Sequence, residues 1–180
     1  MSGKIIPLDI NKTRAVEGAT SVFGGLHTVI WEYIVNSIDY LDEGTKPLVE
    51  VQMNKINNTI TISDNGRGMN INDLKNFMTV YAENRDRKDG TYTFLKRGYF
   101  GTGGFSAYKH AKKLEIQSVK NGKLYEGHMT KEAWQNDIGF TLVTEGKKTD
   151  LENGTKFVIS ELLKPLDHKN INDTKEFAKK

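Results

Sequence analysis

Residues 59–69, Thr-Ile-Thr-Ile-Ser-Asp-Asn-Gly-Arg-Gly-Met, restrict the fold of this chain more than any other stretch. Ile60 and Ile62 alternate with Thr59, Thr61 and Ser63, the period of a strand with one buried face. The strand runs out at Asp64, and Gly66 and Gly68 then free the backbone. A carboxylate is thus delivered to a strand end, beside main chain able to lie close to something flat. Asp-Asn-Gly is also ordinary turn chemistry, so this stretch alone divides evenly between a turn and a site. The second glycine tips it toward a site. A buried Asp there would accept a hydrogen bond from an exocyclic amino group such as adenine's. It would reject rings without that donor, which leave the carboxylate unpaired.

A second stretch, Trp31-Glu32-Tyr33-Ile34-Val35-Asn36-Ser37-Ile38-Asp39, lies in a segment that reads as a helix over 26–42, before Gly44 and Pro47. At 3.6 residues per turn, Glu32, Asn36 and Asp39 share one side, and Ile30, Ile34, Ile38 and Leu41 lie opposite. Most such polar stripes are simply solvated. Here Val29, Trp31, Tyr33 and Val35 widen the apolar surface, which favours a covered helix whose stripe faces a cleft. In a cleft, a carboxylate can orient and deprotonate water. A carboxamide oxygen one turn on can complete the shell of a Mg²⁺ ion.

The third stretch is Gly98-Tyr99-Phe100-Gly101-Thr102-Gly103-Gly104, expected to lead into a helix over about 103–112. Helix N-terminal amides attract phosphate, and glycines allow close approach. The pattern is neither a Walker loop nor a dinucleotide fingerprint, and a hinge into the helix is the competing reading. Lys96 and Arg97 would screen phosphate or be solvated. Residues 81–97 are polar and aperiodic, which reads as a mobile loop.

Elsewhere, residues 8–22 read as a short helix or an arm, closed by Gly24-Gly25. Strands are expected at 48–54 and 59–64, joined at Asn57-Asn58, and at 113–119 and 123–129, joined at Asn121-Gly122. Two more follow at 138–145 and 154–160. Asn70 or Asn72 would cap a short helix reaching about Met78. The tail from Pro165 is charged and helix-prone, with little to bury. Hairpins outnumber crossovers, so the chain is expected to form an α+β two-layer sandwich: a mostly antiparallel, mixed sheet with helices on one face.

The 180 residues suit one domain. Hydrophobic content of 37% and charged content of 27% fit a soluble globular chain. The net charge of +3 permits a nucleic-acid partner without arguing for one. With no cysteine, disulfides, thiolate zinc sites and cysteine nucleophiles are excluded. There is no long apolar run, and Met1-Ser2-Gly3-Lys4 does not open a signal peptide, so a cytoplasmic protein without a membrane partner is expected.

Together the three stretches resemble the GHKL ATPase superfamily: gyrase-type topoisomerase B subunits, MutL repair proteins, ninety-kilodalton heat-shock chaperones, MORC proteins and sensor histidine kinases. The likeness runs from about Gly25 to Ser160 and includes Asn153-Gly154-Thr155-Lys156-Phe157 at the last strand. Gly24-Gly25-Leu26-His27 looks most like the gyrase B group, and Phe100 to Ala107 as much like the MORC and chaperone group. The resemblance implies the Bergerat fold, with an arm over 1–24, the ATP-binding domain over 25–163 (its lid at about 79–100) and a charged tail or linker over 164–180. It implies ATP and Mg²⁺ as cofactors, Glu32 as general base and Asn36 as metal ligand. Asp64 would bind the adenine amino group, with Gly68 near the ring and Thr155 supporting the contact, partly through water. Asp39, Gly66, Met69, Met78 and Lys96 would also line the nucleotide site. Gly98, Phe100, Gly101, Thr102, Gly103 and Gly104 would hold the phosphates.

Gly104 stands where many relatives carry a larger residue, which bears on lid closure. Gyrase-like and MutL-like relatives take a catalytic Lys from a following transducer domain, for which this chain is too short. It is expected to be an excised N-terminal domain whose own hydrolysis is slow or absent. The resemblance implies the nucleotide-gated module of a larger DNA-acting machine, pairing with a second copy when ATP binds and reaching DNA through a missing domain. The alternatives are a chaperone-like or MORC-like ATPase, a non-hydrolysing nucleotide sensor, and a phosphotransfer kinase. Glu32 argues against the last.

Overall fold

The computed structural model describes residues 12–79, 103–135 and 139–177. In chain order the elements are α1 (Lys12–Thr20), α2 (Leu26–Asp39), β1 (Val49–Asn54), β2 (Thr59–Asp64) and α3 (Ile71–Phe77). A 3₁₀ helix (Gly103–Lys109) follows, then β3 (Ala111–Lys120), β4 (Lys123–Thr130), α4 (Lys131–Gln135), β5 (Thr141–Lys148), β6 (Gly154–Leu162) and α5 (His168–Phe177). The six strands form one sheet in the order β1-β2-β6-β3-β4-β5. Every described pairing is antiparallel, so the parallel component of a mixed sheet is not seen among these residues. The architecture is the expected α+β sandwich.

Strand β6 sits between β2 and β3, which places the start of the chain's last strand beside the Asp64 loop. Ile60 and Ile62 on β2, Leu114 and Ile116 on β3 and Phe157 and Ile159 on β6 point to the same buried layer. Each such side chain contributes about 1.5–3 kcal/mol by leaving water. Helix α2 lies over them through Val29, Ile30 and Tyr33, all fully buried. The Tyr33 ring meets Phe157 edge-on at 4.7 Å, and Phe77 from α3 closes the trio at 5.5 Å from Phe157.

The turn at Asn121-Gly122 joins β3 to β4 with both residues at positive φ (52° and 67°), as an Asn-Gly hairpin turn requires. Asn70 caps α3, accepting from the N–H groups of Asn72 and Asp73 while Asp73 accepts from the Asn70 N–H.

Several expectations are corrected. The helix expected over 103–112 is a 3₁₀ helix that stops at Lys109, because Ala111 already pairs with Leu162 and the sheet claims the chain. Helix α2 ends at Asp39 rather than at 42, because Tyr40 leaves helical geometry (φ −112°, ψ 33°) and its carbonyl accepts the Arg67 N–H. Ile38 is 45% exposed, so the buried side of α2 is centred on Ile30 and Tyr33 and takes in Ser37 instead. The tail holds α5, which lies against α2, and it buries Leu166 and Thr174. Helix α4 has no counterpart in the sequence reading. No described helix is long and apolar enough to cross a membrane.

Candidate functional site

Two clusters meet along α2. At one end is Asp64, where β2 stops. Its Oδ1 accepts the Gly66 N–H at 2.9 Å and the Thr155 N–H at 3.1 Å. Its Oδ2 lies 2.8 Å from the Ser37 hydroxyl. Burial pushes the Asp64 carboxyl above the usual carboxylate range, and the donors Gly66, Ser37 and Thr155 pull against that shift. The carboxylate is therefore fixed and partly desolvated, with three protein donors holding its charge.

The loop that carries Asp64 is stitched on three sides. The Asn65 N–H donates to the Leu48 carbonyl at 3.2 Å, and Asn65 Oδ1 accepts the Leu48 N–H at 2.8 Å. Asn65 Nδ2 donates to the Lys46 carbonyl. The Arg67 guanidinium lies 4.8 Å from the centre of the Tyr40 ring. The Met69 N–H donates to Ser118 Oγ at 2.7 Å. Gly68 has φ +68°, and a Cβ there would fall 1.8 Å from the Val119 carbonyl oxygen, so only glycine lets the loop cross β3.

The second cluster gathers Glu32, Asn36 and Gly103. A Cβ on Gly103 would lie 3.3 Å from Asn36 Nδ2 and 3.4 Å from Glu32 Oε2, so both side chains converge on the start of the 3₁₀ helix. Burial raises the Glu32 carboxyl above its ordinary range, and the charge of Asp39, about two turns on, raises it further. Amide oxygen and nitrogen exchange by a half-turn of the side chain, so Asn36 can present oxygen to the same space. One carboxamide oxygen is a poor site for zinc but fits Mg²⁺, which draws its other ligands from phosphate and water. Among the described residues no group of three or more His, Asp or Glu forms a protein-only metal site.

Gly104 is buried. Its carbonyl accepts the Tyr33 hydroxyl at 3.2 Å, and a Cβ would stand 2.6 Å from the Phe77 carbonyl oxygen. A larger residue there would displace α3, which accounts for glycine at this position.

Of the residues expected at the site, Glu32, Asn36 and Gly103 come together, as do Asp64, Gly66 and Thr155. Asp39 sits at the end of α2 near Glu32. Met69 follows Gly68 and is tied to β3, and Met78 caps the C-terminus of α3. Thr155 reaches Asp64 directly through its N–H, while its hydroxyl pairs with Ser118 Oγ at 2.8 Å. Lys96, Gly98, Phe100, Gly101 and Thr102 lie outside the described residues, as does the lid apart from Thr79. The first eleven residues of the arm and residues 178–180 also lie outside them.

The sequence reading missed Ser37, Tyr33 and Ser118 as members of the site. Ser118 carried a usable signal: it follows Leu114 and Ile116 at period two, a hydroxyl in a register otherwise apolar.

Residues 25–159 match the family described as histidine kinase-, DNA gyrase B- and HSP90-like ATPase. The chain belongs to this family. It is 31% identical to the chaperone protein HtpG of Campylobacter jejuni subsp. doylei over 128 residues, 63% of this chain and 19% of that protein. It is 31% identical to the B subunit of DNA topoisomerase 4 from Mycoplasma genitalium over 110 residues, 57% and 17% of the respective chains. With the B subunit of DNA gyrase from Spiroplasma citri it shares 29% over 116 residues, 60% and 18%. The chain thus spans under a fifth of these relatives. It is a GHKL ATPase domain, and its matched segment contains every described cluster above.

Proposed function

We propose that this domain binds ATP with Mg²⁺ and hydrolyses it within a larger assembly. The single observation that carries the reading is that consecutive residues of α2 serve both clusters: Asn36 faces Gly103, and Ser37 faces Asp64. One rigid helix therefore sets the spacing between a base-recognition carboxylate and the end of a glycine loop.

In this reading the adenine amino group donates to Asp64, and Gly68 lets the loop backbone approach the ring. Gly103, Gly104 and the glycines before them hold the phosphates. Asn36 contributes to the shell of Mg²⁺, which when bound neutralises phosphate charge. Glu32 orients the attacking water and takes its proton. A carboxyl raised above its usual range is a stronger base once ionised, which suits this role. In this reading a cationic group from a neighbouring domain offsets charge in the transition state, so turnover by the domain alone is slow or absent. ATP binding pairs two copies of the full protein in the cytoplasm, and a further domain engages DNA. The kinship with topoisomerase and gyrase B subunits supports that assignment. A second reading, a chaperone-like ATPase, is supported by the longer alignment with HtpG.

The test is calorimetry with ATP, GTP and ADP, with and without Mg²⁺, on the wild type and on Asp64→Asn. Adenine selectivity that the substitution abolishes is expected. Equal affinity of the wild type for ATP and GTP would remove Asp64 from the site.

A further inference from the structure

Asp64 has four acceptor positions, two lone pairs on each oxygen. Among the described residues Oδ1 uses both of its pairs on the Gly66 and Thr155 N–H groups. Oδ2 has one partner, the Ser37 hydroxyl at 2.8 Å. Among the described residues this leaves a ligand amino group one position, the second lone pair of Oδ2. The side chain that shares that oxygen decides where the lone pair points.

Ser37 is itself tightly placed. It is 5% exposed, and its Oγ lies 2.8 Å from the Tyr33 carbonyl oxygen as well as from Oδ2. One hydroxyl proton faces two acceptors, and an ionised carboxylate is the stronger of the two. While Asp64 is charged, the hydroxyl donates to Oδ2. Tyr33, whose carbonyl is the alternative acceptor, is fixed by its ring contact with Phe157 and its bond to Gly104. The hydroxyl is thus anchored to the helix that also carries Glu32 and Asn36.

We propose that Ser37 is a positioning residue for base recognition: its hydroxyl takes one lone pair of Asp64 Oδ2 and aims the other at the ligand's ring amino group, so that it sets the discrimination between amino and carbonyl rings. This rests on the assignment of Asp64 to the adenine amino group. An Ala at position 37 leaves Oδ2 two vacant positions, which water fills, and the carboxylate loses its third anchor. Helix packing around Tyr33 is untouched.

The experiment is calorimetry on the 180-residue chain with ATP and with inosine triphosphate, which carries a ring carbonyl in place of the amino group. Wild type, Ser37→Ala and Ser37→Cys are compared, and the Asp64 carboxyl is titrated by ¹³C NMR in each. The Ser37→Ala chain is expected to lose about tenfold in the ATP-to-inosine-triphosphate affinity ratio, the scale of one hydrogen bond to a charged group. Its Asp64 is expected to titrate at higher pH than in the wild type. Ser37→Cys keeps the packing and weakens the donor, so an intermediate ratio is expected, and this variant decides the matter if the alanine chain does not fold. A wild type that binds both nucleotides equally overturns the Asp64 assignment and this proposal with it. A wild type that selects ATP, with variants that keep its ratio within about twofold, overturns the role of Ser37 alone.

Discussion

Asp64 and Thr155 are joined by a 3.1 Å hydrogen bond from the Thr155 N–H to Oδ1, although 91 positions separate them in the chain. The bond exists because β6 inserts between β2 and β3, so the start of β6 faces the end of β2. The pairing of Ser63 with Lys156 is the last between these two strands, and it places Thr155 one residue further on, beside Asp64. Sheet register, more than loop geometry, therefore sets the orientation of the carboxylate. A one-residue slip of β6 would turn Phe157 out of the core, so the packing of Phe157 against Tyr33 also guards the site.

Ser118 ties this region together from β3. It is fully buried, accepts the Met69 N–H and pairs with the Thr155 hydroxyl. Ser118→Ala strands a backbone donor at the Asp64 loop and is expected to cost about 1–3 kcal/mol. For a chain of this size each kcal/mol lowers Tm by roughly 2–4 °C. Urea unfolding checks the stability, and nucleotide calorimetry is expected to show weaker ATP binding with phosphate contacts retained. Unchanged stability would mean that the Met69 N–H finds water instead.

The proposed general base has a pH signature. Glu32 acts ionised, so turnover in the assembled protein rises with pH through a carboxyl value that burial and the Asp39 charge hold above the ordinary range. Asp39→Asn removes the charge and leaves the burial. The acid limb of the pH–rate profile is expected to move to lower pH, while Glu32→Ala is expected to cost on the order of a hundredfold or more in turnover. A limb that Asp39→Asn does not shift would assign it to another group.

The same carboxyl weakens the nucleotide-free fold. Glu32 holds its proton more tightly in the fold than in the unfolded chain. Below the unfolded value of about 4.3 both states are protonated and nothing is lost. As pH rises toward the raised folded value, the unfolded chain releases its proton first and stability falls; above both values the full penalty stands. Glu32→Gln carries no such charge. Its Tm without nucleotide is expected to match the wild type at about pH 4 and to exceed it at about pH 7. An equal difference at both values would show that packing, not ionisation, separates the two.

Much of this arrangement was legible in the sequence, for identifiable reasons. Period-two alternation in 59–64 and the Asn-Gly turn at 121–122 are local signals, and both elements formed as read. The helix face with Glu32, Asn36 and Asp39 follows from helical arithmetic. What stayed hidden was decided by long-range contacts. The 3₁₀ helix at Gly103 is cut short by the pairing of Ala111 with Leu162, a strand far along the chain. Ser37 looks like an ordinary small polar residue on a helix until the fold sets it against Asp64, and the period-two register that marks Ser118 as buried does not reveal that β6 brings Thr155 between it and Asp64. Thr155 was expected at the site, but whether its hydroxyl or its amide met Asp64 depended on strand orientation that no local pattern encodes.

Two glycines separate fold from binding. At Gly68 a Cβ would enter the Val119 carbonyl at 1.8 Å, on backbone already at φ +68°. No side-chain movement relieves a clash with main chain, so Gly68→Ala is expected to cost several kcal/mol, on the order of 3 or more, and to impair folding itself. At Gly103 the neighbours are the ends of flexible side chains, Asn36 and Glu32, at 3.3 and 3.4 Å. Gly103→Ala is expected to leave Tm within a few degrees of the wild type, since both side chains can retreat by a few tenths of an ångström. The methyl nevertheless occupies the space between the proposed base, the proposed metal ligand and the phosphates. ATP affinity is therefore expected to fall by about tenfold or more, with a smaller loss for adenosine, which has no phosphates to seat. Thermal unfolding and calorimetry with both ligands read the two effects separately. Equal losses for ATP and adenosine would place Gly103 outside the phosphate site.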